Sequence, residues 1–270
     1  MITSVSQRWR GGRASYRPAG EPINTRLYEV APIDGAGADK LAGDFVRATH
    51  YSASYPAARE RIGLYTAGTL VGVAVFSHPS QDKVLACLPC PKAEAVELGR
   101  LVLLDSVPAN GETWFIARAF ALLRARGYTG VVSFADPVAR SSVAGEVVKP
   151  GHIGLVYQAS NALYAGLATA RTLRLLPSGR VFSERTRSKI RGRERGWPHA
   201  VEQLVAAGAR APERSGLAAD LHAWLKLELP RVTRPLKHGG NLKYLFPLTP
   251  SCRRHMYGPW LPYPKLNPCT

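Results

Sequence analysis

Apolar positions along this chain come in short blocks, and their spacing predicts the elements. Residues 98–104 form an apolar run interrupted by Gly99 and Arg100, and its length suits a buried strand. Pro108, Asn110 and Gly111 follow as turn residues. Trp114, Phe115, Ala117, Ala121 and Leu122 then recur at helical spacing. Asn110 is the capping residue of that helix, Glu112 puts an acid in its first turn, and Gly127 ends it. Residues 131–135 read as a second buried strand, stopped by Asp136 and Pro137, and residues 151–159 as a short helix. Strand, helix, strand in this order predicts a parallel pair joined by a right-handed crossover. Ligands of such sheets bind beyond the carboxyl ends of the strands, which here carry Asp105 and Asn110 on one side and Asp136 on the other. The helix start at Asn110, Gly111 and Thr113 offers backbone N–H groups to a phosphate or pyrophosphate.

The flanks extend the pattern. Residues 27–30 suit a first strand and residues 38–50 a first helix, with His50, Tyr51, Ser52 and Tyr55 in the loop after it. Residues 61–65 and 70–77 are strands around a hairpin turn at 66–69. Residues 167–176 and 180–184 flank Pro177, Ser178 and Gly179, which predicts a terminal hairpin closing the sheet. This reading gives an arm over 1–26, a core over 27–186 and an extension over 187–270. The extension holds two helices, at 197–207 and 217–229, and an edge strand at 242–248.

Charge changes the picture more than composition does. Forty-six per cent apolar residues suffice for a core in a chain of 270 residues. No apolar run approaches the length of a membrane span, and the Arg-rich start lacks an apolar signal core, so neither a span nor secretion is expected. Thirty-six Lys and Arg against nineteen Asp and Glu leave a net charge of +17. Such an excess favours a polyanionic partner, nucleic acid before an anionic membrane surface. The charge is clustered. Arg8, Arg10, Arg13, Arg17 and Arg26 lie among Gly, Ser and Pro in an arm read as flexible. Arg185, Arg187, Lys189, Arg191, Arg193 and Arg195 follow one another in RTRSKIRGRER, and residues 231–254 hold six further Lys or Arg and no acid. Cys87 and Cys90 form a CxxC pair that Cys252 and His255 match as a tetrahedral zinc set or leave as reduced thiols. Four cysteines without a signal favour a reducing compartment.

The pieces ELGRL, NGETWF, SFADP and GHIGLVYQASNALYAG stand in that order between Glu97 and Gly166. Together they resemble the Mom family of bacteriophage DNA-modification proteins, divergent members of the GNAT acyltransferase superfamily. The GNAT loop Arg/Gln-x-x-Gly-x-Gly/Ala is absent here, as it is in Mom. The resemblance implies an α/β fold, a GNAT-like mixed sheet with splayed central parallel strands, here carrying a basic C-terminal extension. The order of strand, helix, loop and hairpin before the central unit, read from the pattern, agrees with it. It also implies a methylcarbamoyl-type modification of the exocyclic amino group of adenine in double-stranded DNA, which protects that DNA from restriction. Its implied cofactor is acetyl-CoA or a related acyl-CoA, with iron as a further possibility, and its place is the host cytoplasm. By motif, the family's functional residues fall on Arg100, on Thr113 (where serine is commoner), on Asp136 and on Tyr157.

Each of these residues also admits a plainer reading. Tyr157 can protonate a thiolate leaving group or simply pack as an aromatic. Asp136 can accept a proton from an amine or cap a turn. Arg100 can anchor phosphate or pair internally with Glu97 or Asp105. His152 is a proton shuttle or a cap, and Tyr51, Tyr55 and Trp114 are candidates to stack on a flipped base. Two other functions fit the same sequence: an acyltransferase acting on a small-molecule or protein amine, and a non-catalytic nucleic-acid-binding protein.

Overall fold

The computed structural model describes residues 5–10, 13–18, 22–79, 81–212 and 218–265. In chain order the elements are β1 (Val5–Arg10), β2 (Arg13–Pro18), β3 (Tyr28–Pro32), α1 (Ala38–Thr49), β4 (Ala58–Thr66) and β5 (Thr69–Ser77). Then come β6 (Ala95–Leu103), α2 (Gly111–Ala125), β7 (Gly130–Ala135), β8 (Arg140–Ser141), β9 (Val147–Lys149), α3 (Leu155–Ala159) and β10 (Leu163–Leu167). The rest are β11 (Arg171–Leu175), α4 (Glu184–Gly192), α5 (Trp197–Ala206), α6 (Ala218–Val232), β12 (Arg234–His238), β13 (Leu242–Pro247) and α7 (Pro250–His255). The chain forms two compact units, one of residues 1–137, 151–168 and 241–270, the other of 138–150 and 169–240.

The first unit is built on a seven-stranded mixed sheet ordered β10-β13-β7-β6-β5-β4-β3, with β6 and β7 parallel. Alternation along the strands assigns the faces. Val71, Ala74, Phe76, Val96 and Leu98 pack with Phe115, Ile116 and Leu123 of α2 and Tyr157 of α3. Val73, Val75 and Val102 point the other way, onto Ala38, Ala42 and Val46 of α1. Farther along that second face, Ala95, Val132 and Leu245 are covered by Leu85, Leu88, Cys252 and Met256.

The second unit holds the pairs β8–β9 and β11–β12 and the helices α4, α5 and α6. Ile190, Val201, Leu204, Leu221, Leu225 and Leu229 form its core. Ser183 caps α4 by accepting from Thr186 N at 3.0 Å.

The expected boundary near residue 186 gives way to a different division. The hairpin expected over 167–184 does not close the sheet: β10 pairs with β13, and β11 pairs with β12 in the other unit. Of that hairpin the bridge between Leu175 and Val181 remains. The strand expected at an edge is β13, and it lies inside the sheet between β10 and β7. Tyr244 and Phe246 bury on the α2 face and Leu245 on the opposite one, so the strand needs a neighbour on each side and cover on both faces. The extension is therefore split, with residues 241–265 returning to the sheet, while most of the basic run from Arg185 is helical as α4. The arm read as flexible contains the antiparallel pair β1–β2; Met1 lies outside the described residues.

Gly154 is a tight joint in this packing. Its φ is +72°, and a Cβ there would stand 2.8 Å from Tyr157 Cδ2, 2.9 Å from Tyr244 Cε2 and 3.1 Å from the Ala135 Cβ. Gly154→Ala is expected to cost about 2 kcal/mol or more, from overpacking together with the left-handed backbone. The urea midpoint of the sheet unit should fall; an unchanged midpoint would contradict this packing.

Candidate functional site

The central feature is the place where β6 and β7 part. They pair from Ala95 with Gly130 to Leu98 with Ser133 and no farther. Against β5, Leu98 faces Phe76 and Arg100 faces Val75, so Gly99 is the extra residue of a bulge. Glycine is needed there, since a Cβ would meet Ser77 Oγ at 2.7 Å. The bulge turns β6 toward β5 and away from β7. At the parting, the buried Ser133 hydroxyl donates to the Leu98 carbonyl at 3.0 Å.

Arg100 follows the bulge and projects from the α1 side. It donates from Nε to Ser54 O at 2.9 Å, from one terminal nitrogen to Ser54 Oγ at 2.6 Å, and from the other to the Gly99 carbonyl. The hydrogen-bond partners of Arg100 are the loop after α1 and its own strand, rather than the expected carboxylate of Glu97 or Asp105. Burial lowers the guanidinium pKa, and Tyr51, Glu97 and Tyr157 act in the opposite sense. Burial likewise raises the Glu97 carboxyl, and Arg100 works against that rise.

Tyr157 comes from α3 on the other side of the parting and is buried at 8% exposure. Burial raises its phenol pKa, while a hydrogen bond with Ser133 and the charge of Arg100 lower it and Glu97 raises it. The phenol is thus neutral at ordinary pH and sits against the hydroxyl that ends the strand pairing. Asp136 lies one residue beyond β7, and its carbonyl accepts from His152 N at 3.0 Å. His152 precedes α3 rather than starting it. Its Nε2 lies 3.2 Å from Tyr51 Oη, closing a bridge from the α3 segment to the α1 loop. His50 stacks on Tyr51 at 4.2 Å between ring centroids, and its Nδ1 lies 2.8 Å from Ser52 Oγ.

The start of α2 differs from the expected cap. Asn110 adopts φ 65° and ψ 2°, and its side chain makes no capping bond. Thr113 Oγ1 donates to the Asn110 carbonyl at 3.1 Å. Gly111 is buried, and a Cβ there would stand 2.6 Å from Val107 Cγ1. The Asn110 side chain thus leaves the first turn uncapped, while the Gly111 N–H donates to the Pro108 carbonyl at 3.2 Å.

A model of the Mom protein family matches residues 28–265. The chain belongs to the Mom family. No curated protein sequence matches it. Among solved structures, a tandem GNAT protein from the clavulanic acid biosynthesis pathway is similar at 12% identity and a TM-score of 0.43, over 83% of this chain and 99% of that one. A Bacillus subtilis acetyltransferase in complex with CoA is similar at 8% identity and a TM-score of 0.35, over 82% of this chain and 99% of that one. A GNAT-family N-acetyltransferase from Escherichia coli in complex with CoA gives 14% identity and a TM-score of 0.31, over 41% of this chain and 64% of that one.

In this Mom-family chain the four motif residues do not all meet. Arg100 and Tyr157 interact electrostatically, and Asp136 is linked to the same cluster through His152. Thr113 stands at the helix start instead. Ser133 and Ser54 are members that sequence reasoning did not single out, and Glu97 entered it only as an alternative partner of Arg100. Glu97 was legible as a carboxylate three residues before Arg100; Ser133 and Ser54 left no signal, because their roles depend on pairing across the fold.

The stacking candidates separate. Tyr51 is in the cluster. Tyr55 donates to Asp39 Oδ1 at 2.9 Å beside Arg61, and burial with that bond pushes its pKa up to about 12. Trp114 lines a groove along α2 and β3, three strands away from β6. Cys87, Cys90 and Cys252 do gather in one apolar cluster, and burial pushes the Cys252 thiol up to about 11. His255 is exposed and bonds to the Ser251 carbonyl instead. Among the described residues no three His, Cys, Asp or Glu are arranged to hold a metal ion. No described helix is long and apolar enough to cross a membrane.

Arg100→Lys keeps a charge but loses the planar fork that spans Ser54 and Gly99. Hydrogen exchange of the amides at 52–55 is expected to rise about tenfold or more, because the loop loses its anchor. Unchanged exchange would show that the loop is held by other contacts.

Proposed function

We propose that the chain transfers an acyl-type group from a CoA thioester to the exocyclic amino group of adenine in double-stranded DNA. The outcome is a methylcarbamoyl-type modification that protects the DNA from restriction. The observation that carries this reading is the buried Tyr157 phenol beside Ser133 at the parting of the strands, with the charge of Arg100 acting on it and Asp136 joined to the cluster through its backbone bond to His152, in a Mom-family chain.

The roles follow from where each group sits. The α2 start at Asn110, Gly111 and Thr113 is assigned the donor's pyrophosphate, which the positive end of the helix favours. The end of the β6–β7 ladder leaves strand edges open to the donor's amide groups. Asp136 takes the proton of the amine as its nitrogen attacks the thioester carbonyl. Tyr157 gives its proton to the departing sulfur as the C–S bond breaks, and returns to neutrality by reprotonation. Arg100 stabilises negative charge that develops in that space. Acetyl transfer alone gives an acetamide, so the methylcarbamoyl product needs a different donor or a further step. Tyr51, the stacking candidate that lies in the cluster, is assigned the flipped base.

Duplex phosphates are assigned to the cations of α4 and its C-terminal flank. Arg185 pairs with Glu194, Arg187 and Arg191 share Glu184, and Arg193 lies over the Trp197 ring at 5.3 Å. Surface pairs of this kind are worth at most about 1 kcal/mol, so phosphate competes with them readily.

Two measurements test the proposal. In bacteria expressing the chain, nucleoside mass spectrometry should find a modified deoxyadenosine. Tyr157→Phe and Asp136→Asn should each lower its yield about a hundredfold. Undiminished modification in both would place the chemistry elsewhere, and unmodified DNA with tight DNA binding would favour a non-catalytic binder.

Replacing Arg185, Arg187, Lys189, Arg191, Arg193 and Arg195 by Gln should weaken duplex binding equally at all sequences. The slope of log affinity against log salt should fall by up to about five. A constant slope would remove α4 and its flank from the interface.

A further inference from the structure

A groove runs along α2 on its β3 side, apart from the cluster described above. Trp114 and Arg118 line one wall with Leu122, and Tyr28, Val30 and Arg26 line the other. Two residues complete the lining, Thr25 and Ala121, and no carboxylate is among the eight. The Arg118 guanidinium carbon stands 5.7 Å from the centre of the Trp114 ring.

Comparison with similar pairs on the same unit shows what sets this one apart. Arg47 lies over Tyr55, but Asp44 pairs with that arginine and Asp39 accepts from that tyrosine. Arg59 lies over Tyr128, whose hydroxyl donates to Glu60. Those aromatic–arginine contacts belong to acid-containing networks that close on themselves. The Trp114 groove has two guanidinium groups, two aromatic side chains and aliphatic side chains, with no acid among its described lining residues. Its shape and charge suit a ligand that is flat, partly apolar and negatively charged.

We infer that this groove is a nucleotide-binding subsite, with the base against Trp114 and Tyr28 and the phosphate between Arg26 and Arg118. Aromatic faces stack any base, and arginine takes a phosphate through paired donors. Two sources present this chemistry: a nucleotide of a DNA strand, and the phosphorylated adenosine end of a CoA-type donor. The second is in reach because Trp114 directly follows Thr113 at the α2 start. The subsite does not depend on acyl transfer, since a nucleotide docks there whatever reaction occurs at Tyr157.

The test is isothermal titration of the full chain with adenosine 3′,5′-bisphosphate and, separately, with a five-residue thymidine oligonucleotide. Trp114→Leu and Arg118→Gln are each expected to weaken at least one probe about tenfold or more, the range of one lost base stack or phosphate contact. Weakening confined to the bisphosphate assigns the groove to the donor, and weakening confined to the oligonucleotide assigns it to DNA. Weakening of both establishes a nucleotide subsite open to either. The inference is overturned if neither probe binds, or if both variants bind as the unaltered chain does. Arg118 is exposed, so its variant decides the matter should Trp114→Leu fail to fold. Failure here with modified deoxyadenosine still present in cells would leave the proposed reaction standing without this subsite.

Discussion

The bond between the Ser133 hydroxyl and the Leu98 carbonyl closes the last rung of the parallel pair. It spans 3.0 Å and is buried. A parallel ladder that stops inside a sheet leaves backbone groups without partners, and burying them unpaired is costly. Here a side chain takes one of them, so the strands part without that penalty. The Gly99 bulge supplies the change of direction, and its glycine admits the Ser77 hydroxyl where a side chain would collide. The same Ser133 hydroxyl then meets the Tyr157 phenol. One serine thus both ends the ladder and orients the group proposed as the acid.

Charge around the parting is arranged on two sides of the sheet. Arg100, Glu97 and Tyr51 belong to the α1 side, and Tyr157 reaches in from the α3 side. Burial works against ionisation of Glu97, Arg100 and Tyr157 alike, and their mutual fields oppose it in part. Arginine tolerates this because its proton is held too firmly to be lost. Its hydrogen bonds to Ser54 also give the loop after α1 a fixed position. His152 and Tyr51 complete the enclosure from the opposite direction. The cluster is therefore assembled from four separate stretches of chain: 50–54, 97–100, 133–136 and 152–157.

The excess of positive charge divides into two physical kinds. In α4 and its flank much of it is neutralised locally, with Glu184 serving two arginines and Glu194 a third. Such exposed pairs hold the helix surface in order at little energetic gain and yield to phosphate. In the groove on α2 no acid among the described lining residues offsets Arg26 and Arg118. A net charge of +17 counts both kinds together, which is why composition implied a polyanion without showing where one binds.

Local pattern was sufficient wherever neighbours in sequence are neighbours in space. The spacing of Trp114, Phe115 and Leu122 marked α2, the run before Leu104 marked β6, and the turn at 66–69 marked the hairpin of β4 and β5. Motif spacing placed Arg100, Asp136 and Tyr157 on the right elements, since strand ends and helix starts are set by short-range backbone chemistry. Pairing across distance was not legible. The apolar run of β13 announced a strand but not its place, because both of its partners lie far away in the chain. The same limit hid Ser133 and Ser54, ordinary serines until a bulge and a returning loop bring Leu98 and Arg100 to them. The sequence by itself determined the elements, the chain's charge and the candidate chemistry. The tertiary structure decided which strand fills the sheet, which aromatics face the cluster and which polar groups meet, because those depend on long-range closure that no local spacing encodes.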